Sequence, residues 1–134
     1  MEWSSNLGKL VLRLTLGGLM LLHGLAKVSG GIAPIVGRVA QSGLPPAFAY
    51  LVYVGEVLAP VLLIIGLWTR AAAALAAINM IVAISLMHTS QLGEMSKSGG
   101  WALELQAFYL FTAVAVMLLG AGRFSLGGAK GRLN

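Results

Sequence analysis

Six polar side chains lie within or beside long apolar stretches of this 134-residue chain. Ionisable residues in such stretches are costly, so they usually face a bundle interior or a water-filled cavity, where they often move protons or bind ligands. Lysine and histidine can donate hydrogen bonds to an oxygen that gains negative charge, and a desolvated carboxylic acid can pass protons. We predict Glu56 as the catalytic residue. We predict that a ligand is bound by His23, Lys27, Glu56, His88, Glu104 and Gln106.

Several other chemistries fit the sequence poorly. Cysteine is absent, which excludes intrinsic thiol–disulfide chemistry, iron–sulfur ligation and covalent attachment of a c-type haem by this chain. A b-type haem between His23 and His88 needs two imidazoles at matching depth, and these two differ in depth by about one helical turn. A divalent metal held by His23, Glu56, His88 and Glu104 is chemically reasonable, but these residues have no diagnostic spacing. We therefore predict a site without haem or metal.

The composition indicates an integral membrane protein. Hydrophobic residues make up 58% of the chain and charged residues only 10%, whereas a soluble domain carries about 25% charged residues. The formal net charge of +5 is explained by basic residues that flank membrane spans. No run of arginine or lysine is interleaved with aromatic residues, so we expect the lipid bilayer as a partner and no nucleic acid.

Four apolar segments are long enough to serve as the spans that carry these residues, since a helix needs roughly 20 residues to cross a bilayer. We predict an all-α, antiparallel bundle of four transmembrane helices in a single domain, 1–134. Between the first two helices, residues 32–46 form either a short interfacial helix or an ordinary loop. The basic, glycine-rich residues 121–134 are expected to form a flexible tail. The helices are placed at about 7–29, 47–68, 71–88 and 101–120.

Helix geometry brings the six candidate residues to one half of the predicted bundle. With a rise of about 1.5 Å per residue, His23 lies roughly 9 Å and Glu56 roughly 13 Å below the surface at which the first helix ends. Convergence of polar groups from four helices indicates a pocket. Alternatively, the lysine and the glutamates only neutralise one another and fix the register of the bundle. The four shallower candidates are Lys27, His88, Glu104 and Gln106.

Three further polar residues are predicted to be structural or lipid-facing: Arg13, Arg70 and Asn79. At about 100° per residue, Arg13, His23 and Lys27 fall within an arc of roughly 80° on the first helix, so this side should face other helices. Arg13 lies about 21 Å from Lys27 along the axis, so its guanidinium either pairs inside the bundle or reaches lipid headgroups. Asn79 is expected to hydrogen-bond across helices. The arc on the first helix also holds Gly17, Met20 and Gly24.

The distribution of basic residues predicts the orientation of the bundle. Four spans place both termini on one side of the membrane, and positively charged short segments stay in the cytoplasm. The basic residues in the loops on the opposite side are only two, Arg38 and Lys97. We therefore predict that both termini are cytoplasmic. The basic residues on their side are Lys9, Arg70, Arg123, Lys130 and Arg132.

Several short motifs carry a family resemblance. They are Arg13 with Gly17, the HGLAK segment containing Gly24 and Lys27, Gly43-Leu44-Pro45, Glu56 in VGEVLAPVLLIIGLWTR, Gly66 with Arg70, His88, and GAGRFSL at 120–126. In this order and spacing they resemble the DoxX family of small bacterial four-helix membrane proteins. The resemblance covers roughly residues 10–127.

The resemblance implies a location in the bacterial plasma membrane and a role in electron transfer that involves quinones. Because the chain has no cysteine, thiol redox work would need a redox-enzyme partner. We therefore expect a redox-associated subunit that binds a quinone or a similar apolar ligand, and whether it is itself an oxidoreductase stays open. The alternatives are a non-catalytic membrane scaffold and a small proton-coupled transporter with Glu56 as its relay. Small residues on the third and fourth helices would pack within one bundle or in a homo-oligomer.

Overall fold

The computed structural model describes residues 2–31, 33–87, 93–95, 97, 99–128 and 131–134. Every regular element in these ranges is a helix, apart from an isolated bridge between Met95 and Trp101. We number the long helical segments in chain order. They are α1 (Glu2–Gly30), α2 (Ala33–Gln41), α3 (Pro46–Ile65), α4 (Thr69–Met87) and α5 (Glu104–Leu119).

Within the described ranges two helices are long and apolar enough to cross a bilayer, namely α1 with 29 residues and α3 with 20. The helices α4 and α5 are shorter apolar helices, and α5 has only 16 residues. Large apolar side chains such as Phe108, Phe111 and Leu118 are exposed on α5, which is typical of a surface that contacts lipid. The structure therefore shows an all-helical chain with apolar spans. For residues 32–46 the sequence left open a short helix or a loop. The structure has the helix α2 at 33–41.

The polar stripe predicted for the first helix is the side of α1 that packs inwards. The buried residues of α1 include Arg13, Gly17, Met20 and Gly24, together with Leu16. This stripe lies against α3 and α5. The prediction that this side faces other helices is therefore confirmed for Arg13, Gly17, Met20 and Gly24, whereas Lys27 is only partly buried and His23 is exposed.

The helix α3 changes its winding around Glu56. Pro60 has no backbone N–H, so it cannot donate a hydrogen bond to the carbonyl of Glu56 one turn earlier. The backbone adopts a π turn over Val54–Leu58, in which the N–H of Ala59 donates to the carbonyl of Val54. From the sequence, Pro60 predicts a kink in this helix around Glu56. The structure has one wide turn there, and Glu56 lies inside it.

Small side chains let α4 and α5 approach each other closely. The buried alanines of α4 pack in one core cluster with Tyr109, Ala113 and Val116 of α5. The alanines therefore serve packing within the chain. They are Ala72, Ala73, Ala76 and Ala77.

A buried arginine joins the helix ends near the two termini of the chain, a region called the terminal end below. Arg13 is fully buried, and its Nε donates to the carbonyl of Ala121 at 3.0 Å. Its Nη1 donates to the carbonyls of Leu63 (2.8 Å) and Ile64 (3.2 Å), and its Nη2 donates to that of Phe124. These carbonyls belong to the last turn of α3 and to the segment that follows α5. Arg13 is thus structural, and the alternative that it reaches lipid headgroups is wrong.

The segment after α5 contacts the terminal end through backbone and side-chain hydrogen bonds. The N–H of Leu126 donates to the carbonyl of Ile65, and the N–H of Gly127 donates to that of Gly66, both at 3.0 Å. The side-chain oxygen of Asn134 accepts from the N–H of Thr69 at 3.0 Å, at the start of α4. Helix ends leave backbone groups without partners, and here the tail supplies the partners.

Arg70 acts in a similar way at the end of α5. Its Nη1 donates to the carbonyls of Met117 at 3.1 Å and Leu118 at 2.9 Å. A cation beside the last turn of a helix is favourable because the helix dipole places partial negative charge there. Arg70 therefore supplies donors to the end of α5.

We expect that replacing Arg13 destabilises the protein strongly. In Arg13→Met, four backbone carbonyls lose a charged donor, two of them in buried and two in partly buried hydrogen bonds, and the free energy of unfolding should fall by about 3 kcal/mol or more. In Arg13→Lys the charge stays but the planar fork of donors is lost, so the loss should be intermediate. Unfolding of the purified protein in mild detergent, followed by circular dichroism, measures both effects.

The matched control is Arg38→Met, because Arg38 is exposed on α2. Its effect should stay within about 0.5 kcal/mol. Equal losses from Arg13→Met and Arg38→Met would show that the buried guanidinium does not hold the helix ends together.

Candidate functional site

A cleft of about 360 Å³ lies between α1, α3, α4 and α5, with α2 beside it. Its volume is at the lower end of the range of roughly 300–1,000 Å³ that is usual for small-molecule sites. Its walls are largely apolar, and five polar or aromatic side chains converge on it. The apolar lining includes Met20, Ile35, Met80, Ala83 and Leu105. The converging side chains are His23, Lys27, Glu56, Gln106 and Tyr109.

One side of the cleft holds an ion pair that links three helices. Glu56 on α3 is only 6% exposed, and its Oε2 pairs with the Lys27 ammonium of α1. Its Oε1 accepts a hydrogen bond from the amide of Asn79 on α4 at 3.3 Å. Both carboxylate oxygens therefore have a donor, as a buried charge requires. Lys27 remains partly exposed, so the pair lies at the edge of the cleft.

Two glycines allow the helices to meet at Glu56. A methyl group at position 24 on α1 would overlap the carbonyl oxygen of Glu56. A methyl group at position 55 on α3 would lie 2.5 Å from the Cβ of Asn79 on α4, which is closer than any real contact. The backbone of α1 is therefore in direct contact with the backbone of α3, and the backbone of α3 is in direct contact with the side chain of Asn79. Gly24 and Gly55 position the ion pair although neither has a functional side chain.

The opposite side of the cleft is formed by α5 and the ring of His23. His23 and Tyr109 meet edge to face, with ring centroids 5.8 Å apart at 85°. The Oε1 atom of Gln106 is buried, and within the described part of the chain it has no hydrogen-bond partner. Buried polar atoms rarely lack partners in native proteins, so this acceptor is suited to a water molecule or a ligand donor.

The structure brings together four of the predicted site residues and separates another. His23, Lys27, Glu56 and Gln106 line the cleft. Glu104 is exposed and does not line it, because α5 begins at this residue and its carboxylate lies over the backbone of Gly100. Placing Glu104 in the ligand site is therefore a prediction that the geometry does not support. His88 lies outside the described residues.

Two residues, Asn79 and Tyr109, contribute to the site although neither was predicted to bind a ligand. Asn79 was expected to bond across helices, and it does so to the predicted catalytic residue itself. Tyr109 was missed, although it follows Gln106 by three residues and so shares a face of α5 with it. A tyrosine in an otherwise apolar helix usually needs a polar neighbour for its hydroxyl, and this signal could have identified it.

The arrangement can orient a polar ligand and exchange protons with it. Within the described ranges no three histidine, cysteine, aspartate or glutamate side chains are grouped to hold a metal ion. The chemistry available to these residues is charge-assisted hydrogen bonding from Lys27, proton exchange at Glu56, and neutral hydrogen bonding at Gln106 and Tyr109.

Comparison with known proteins gives one match. A model of the DoxX family matches residues 8–89. The matched range includes most of α1 and all of α2, α3 and α4, and with them Lys27, Glu56 and Asn79. The α5 residues that line the cleft lie outside the range that the family model matches. No curated protein and no solved structure matches the chain.

We expect the ion pair to be strongly coupled energetically. Lys27→Met leaves the buried carboxylate of Glu56 without its cation, so the free energy of unfolding should fall by about 2 kcal/mol or more, after allowance for the partial exposure of Lys27. In the double variant Lys27→Met/Glu56→Gln no charge is left unpaired, and most of the stability should return. Denaturation in detergent measures the four members of this cycle.

Lys97→Met, which removes an exposed lysine, is the control and should have little effect. A double variant that loses as much as the two single variants combined would show that Lys27 and Glu56 do not interact in the folded protein.

Proposed function

The chain belongs to the DoxX family, and on this premise we propose that it is a multi-pass protein of the bacterial plasma membrane that binds a quinone or a similar apolar ligand as a redox-associated subunit. The observation that carries the proposal is the cleft beside the Lys27–Glu56 pair. Its walls suit an apolar ring, and its polar groups suit the oxygens of that ring.

In the proposed membrane arrangement α1, α3, α4 and α5 are four antiparallel spans. Support comes from the terminal end. There the start of α1, the end of α3, the start of α4 and the end of α5 meet. Arg13, Arg70 and the segment after α5 connect them. Both termini then lie on one side. The excess of basic residues there favours the cytoplasm.

The residues of the cleft have complementary roles towards a quinone. Its ring oxygens gain negative charge as it takes up two electrons, and it takes up two protons to become a quinol. The Lys27 ammonium is placed to donate to one such oxygen, and the uncharged amide of Gln106 reaches the cleft from the opposite side. Glu56 is placed to relay protons, because its carboxylate lines the same cleft.

Reduction of a quinone needs a source of two electrons. The chain contains no cysteine, so it offers neither a thiol nor an iron–sulfur ligand for this step. We propose a redox-enzyme partner as the donor.

A scaffold function is the second candidate, and one observation favours it. Both carboxylate oxygens of Glu56 already have donors within the chain, so the pair is satisfied without any ligand. In that case the pair serves to fix the register of α1, α3 and α4. Retention or loss of a bound ligand separates the two functions.

The proposed orientation is tested with single cysteines, which is straightforward because the natural chain has none. We expect a membrane-impermeant maleimide to label Glu94→Cys in whole cells, since this residue is exposed in the connection before α5. Ser4→Cys, exposed near the other end of α1, should be labelled only after the membrane is opened. The reverse pattern would invert the orientation. Labelling of both in intact cells would contradict the three spans, α1, α3 and α4, that the proposal places between these two residues.

The proposed ligand is tested by mass spectrometry of an organic extract from protein purified in mild detergent. We expect a quinone in near-stoichiometric amount in the unaltered protein. Lys27→Met, Glu56→Gln and Gln106→Leu should each lower that amount about tenfold or more, because each removes a group that faces the cleft. A gel-filtration profile checks that each variant is still folded.

Glu104→Gln is the matched control, because this residue lies two positions from Gln106 but outside the cleft. It should retain the ligand. An extract with no ligand beyond bulk phospholipid would contradict quinone binding and favour the scaffold, and the search would turn to a co-purifying protein.

A further inference from the structure

A second cavity lies on the outer side of α3 and α4. This cavity, called the groove below, has a volume of about 330 Å³ and is bounded by α2, α3 and α4. Its lining is apolar except for Lys27 and Asn79. The side chains along it are substantially exposed, so in a bilayer the groove opens towards lipid. They include Phe48, Leu51, Ile78 and Val82.

The groove and the cleft meet at the ion pair. Lys27, Ile35 and Ala83 line both cavities. The carboxylate of Glu56 faces the cleft, whereas its hydrogen-bond donor Asn79 lines the groove. The Lys27–Glu56–Asn79 cluster therefore lies between a compartment with several polar groups and a compartment that is almost wholly apolar.

We propose that the cleft and the groove form one divided site for an amphipathic ligand, whose polar ring lies in the cleft and whose hydrocarbon tail passes Lys27 and Ala83 into the groove. This inference rests on the proposed function and extends it, since it specifies a ligand with a long tail. Each cavity alone is near the lower end of the usual size range for ligand sites, and together they fall well within it.

The division explains why the polar cluster lies where it does. A tail gains little from leaving lipid for another apolar surface, because no water is released from it. Binding energy must then come from the polar groups at the ring, and the groove contributes shape and direction. A tail that leaves through the groove fixes which edge of the ring faces Lys27 and which faces Gln106.

The test uses a naphthoquinone with a photoreactive diazirine at the far end of a long saturated tail, added to the full-length protein in lipid nanodiscs. After illumination, peptide mass spectrometry should find the label on groove residues such as Leu51 and Ile78. An excess of the same quinone without diazirine should remove that label, which distinguishes a site from random contact with lipid. Thermal stabilisation by a naphthoquinone without a tail reports binding of the ring alone.

The variant Val82→Trp fills the groove without altering the cleft, because Val82 lines only the groove. It should lower labelling of the groove about tenfold, as expected for an overfilled cavity, and leave stabilisation by the tail-less ring unchanged. Ile81→Trp is the matched control. Ile81 is next to Val82 in the chain and is similarly exposed, but it lines neither cavity. It should change neither readout.

The outcomes separate the two levels of the proposal. Three results would overturn the divided site and leave the proposed function in place, provided that the tail-less ring binds. They are a label on other faces of the protein, a label that excess quinone does not displace, and unchanged groove labelling in Val82→Trp. If neither quinone binds, the proposed function itself fails.

Discussion

The fold depends on a buried arginine that satisfies backbone carbonyls at the end of α3 and in the segment after α5. In an apolar medium every backbone carbonyl at a helix end needs a donor, because water is absent. Arg13 meets this need for the last turn of α3 and for the segment after α5, and it does so without a carboxylate partner. Its positive charge is balanced by the partial negative charge of carbonyls at helix ends. The first helix is thereby tied to residues up to 111 positions away in the chain.

The same requirement shapes the candidate site, which lies away from the terminal end. Pro60 removes one backbone donor, and the resulting π turn places the carbonyl of Glu56 against the bare backbone of Gly24. The carboxylate of the same residue is then held by Lys27 and Asn79. A proline that would weaken an ordinary helix thus helps to bring three helices together at one titratable group. Wide turns of this kind occur frequently at functional sites.

The sequence predicted those features that follow from local periodicity. The inward stripe of α1, the distortion before Pro60 and the position of Glu56 within an apolar helix could all be inferred from spacing. The acceptors of Arg13 could not, because they are backbone carbonyls of two segments far away in the chain, the last turn of α3 and the segment after α5. The error at Glu104 came from the start of α5, which was placed at Trp101. Tyr109 was missed because attention to charged residues left aromatic hydroxyls aside.

The contact between Gly24 and Glu56 has an evolutionary consequence. No side chain fits at position 24 unless α1 and α3 move apart, and such movement would separate Lys27 from the carboxylate. Position 55 is restricted in the same way by Asn79. These two glycines and the polar trio should therefore be inherited together or lost together among homologues. Such co-inheritance would serve as a fingerprint for recognising which members of the family retain this site.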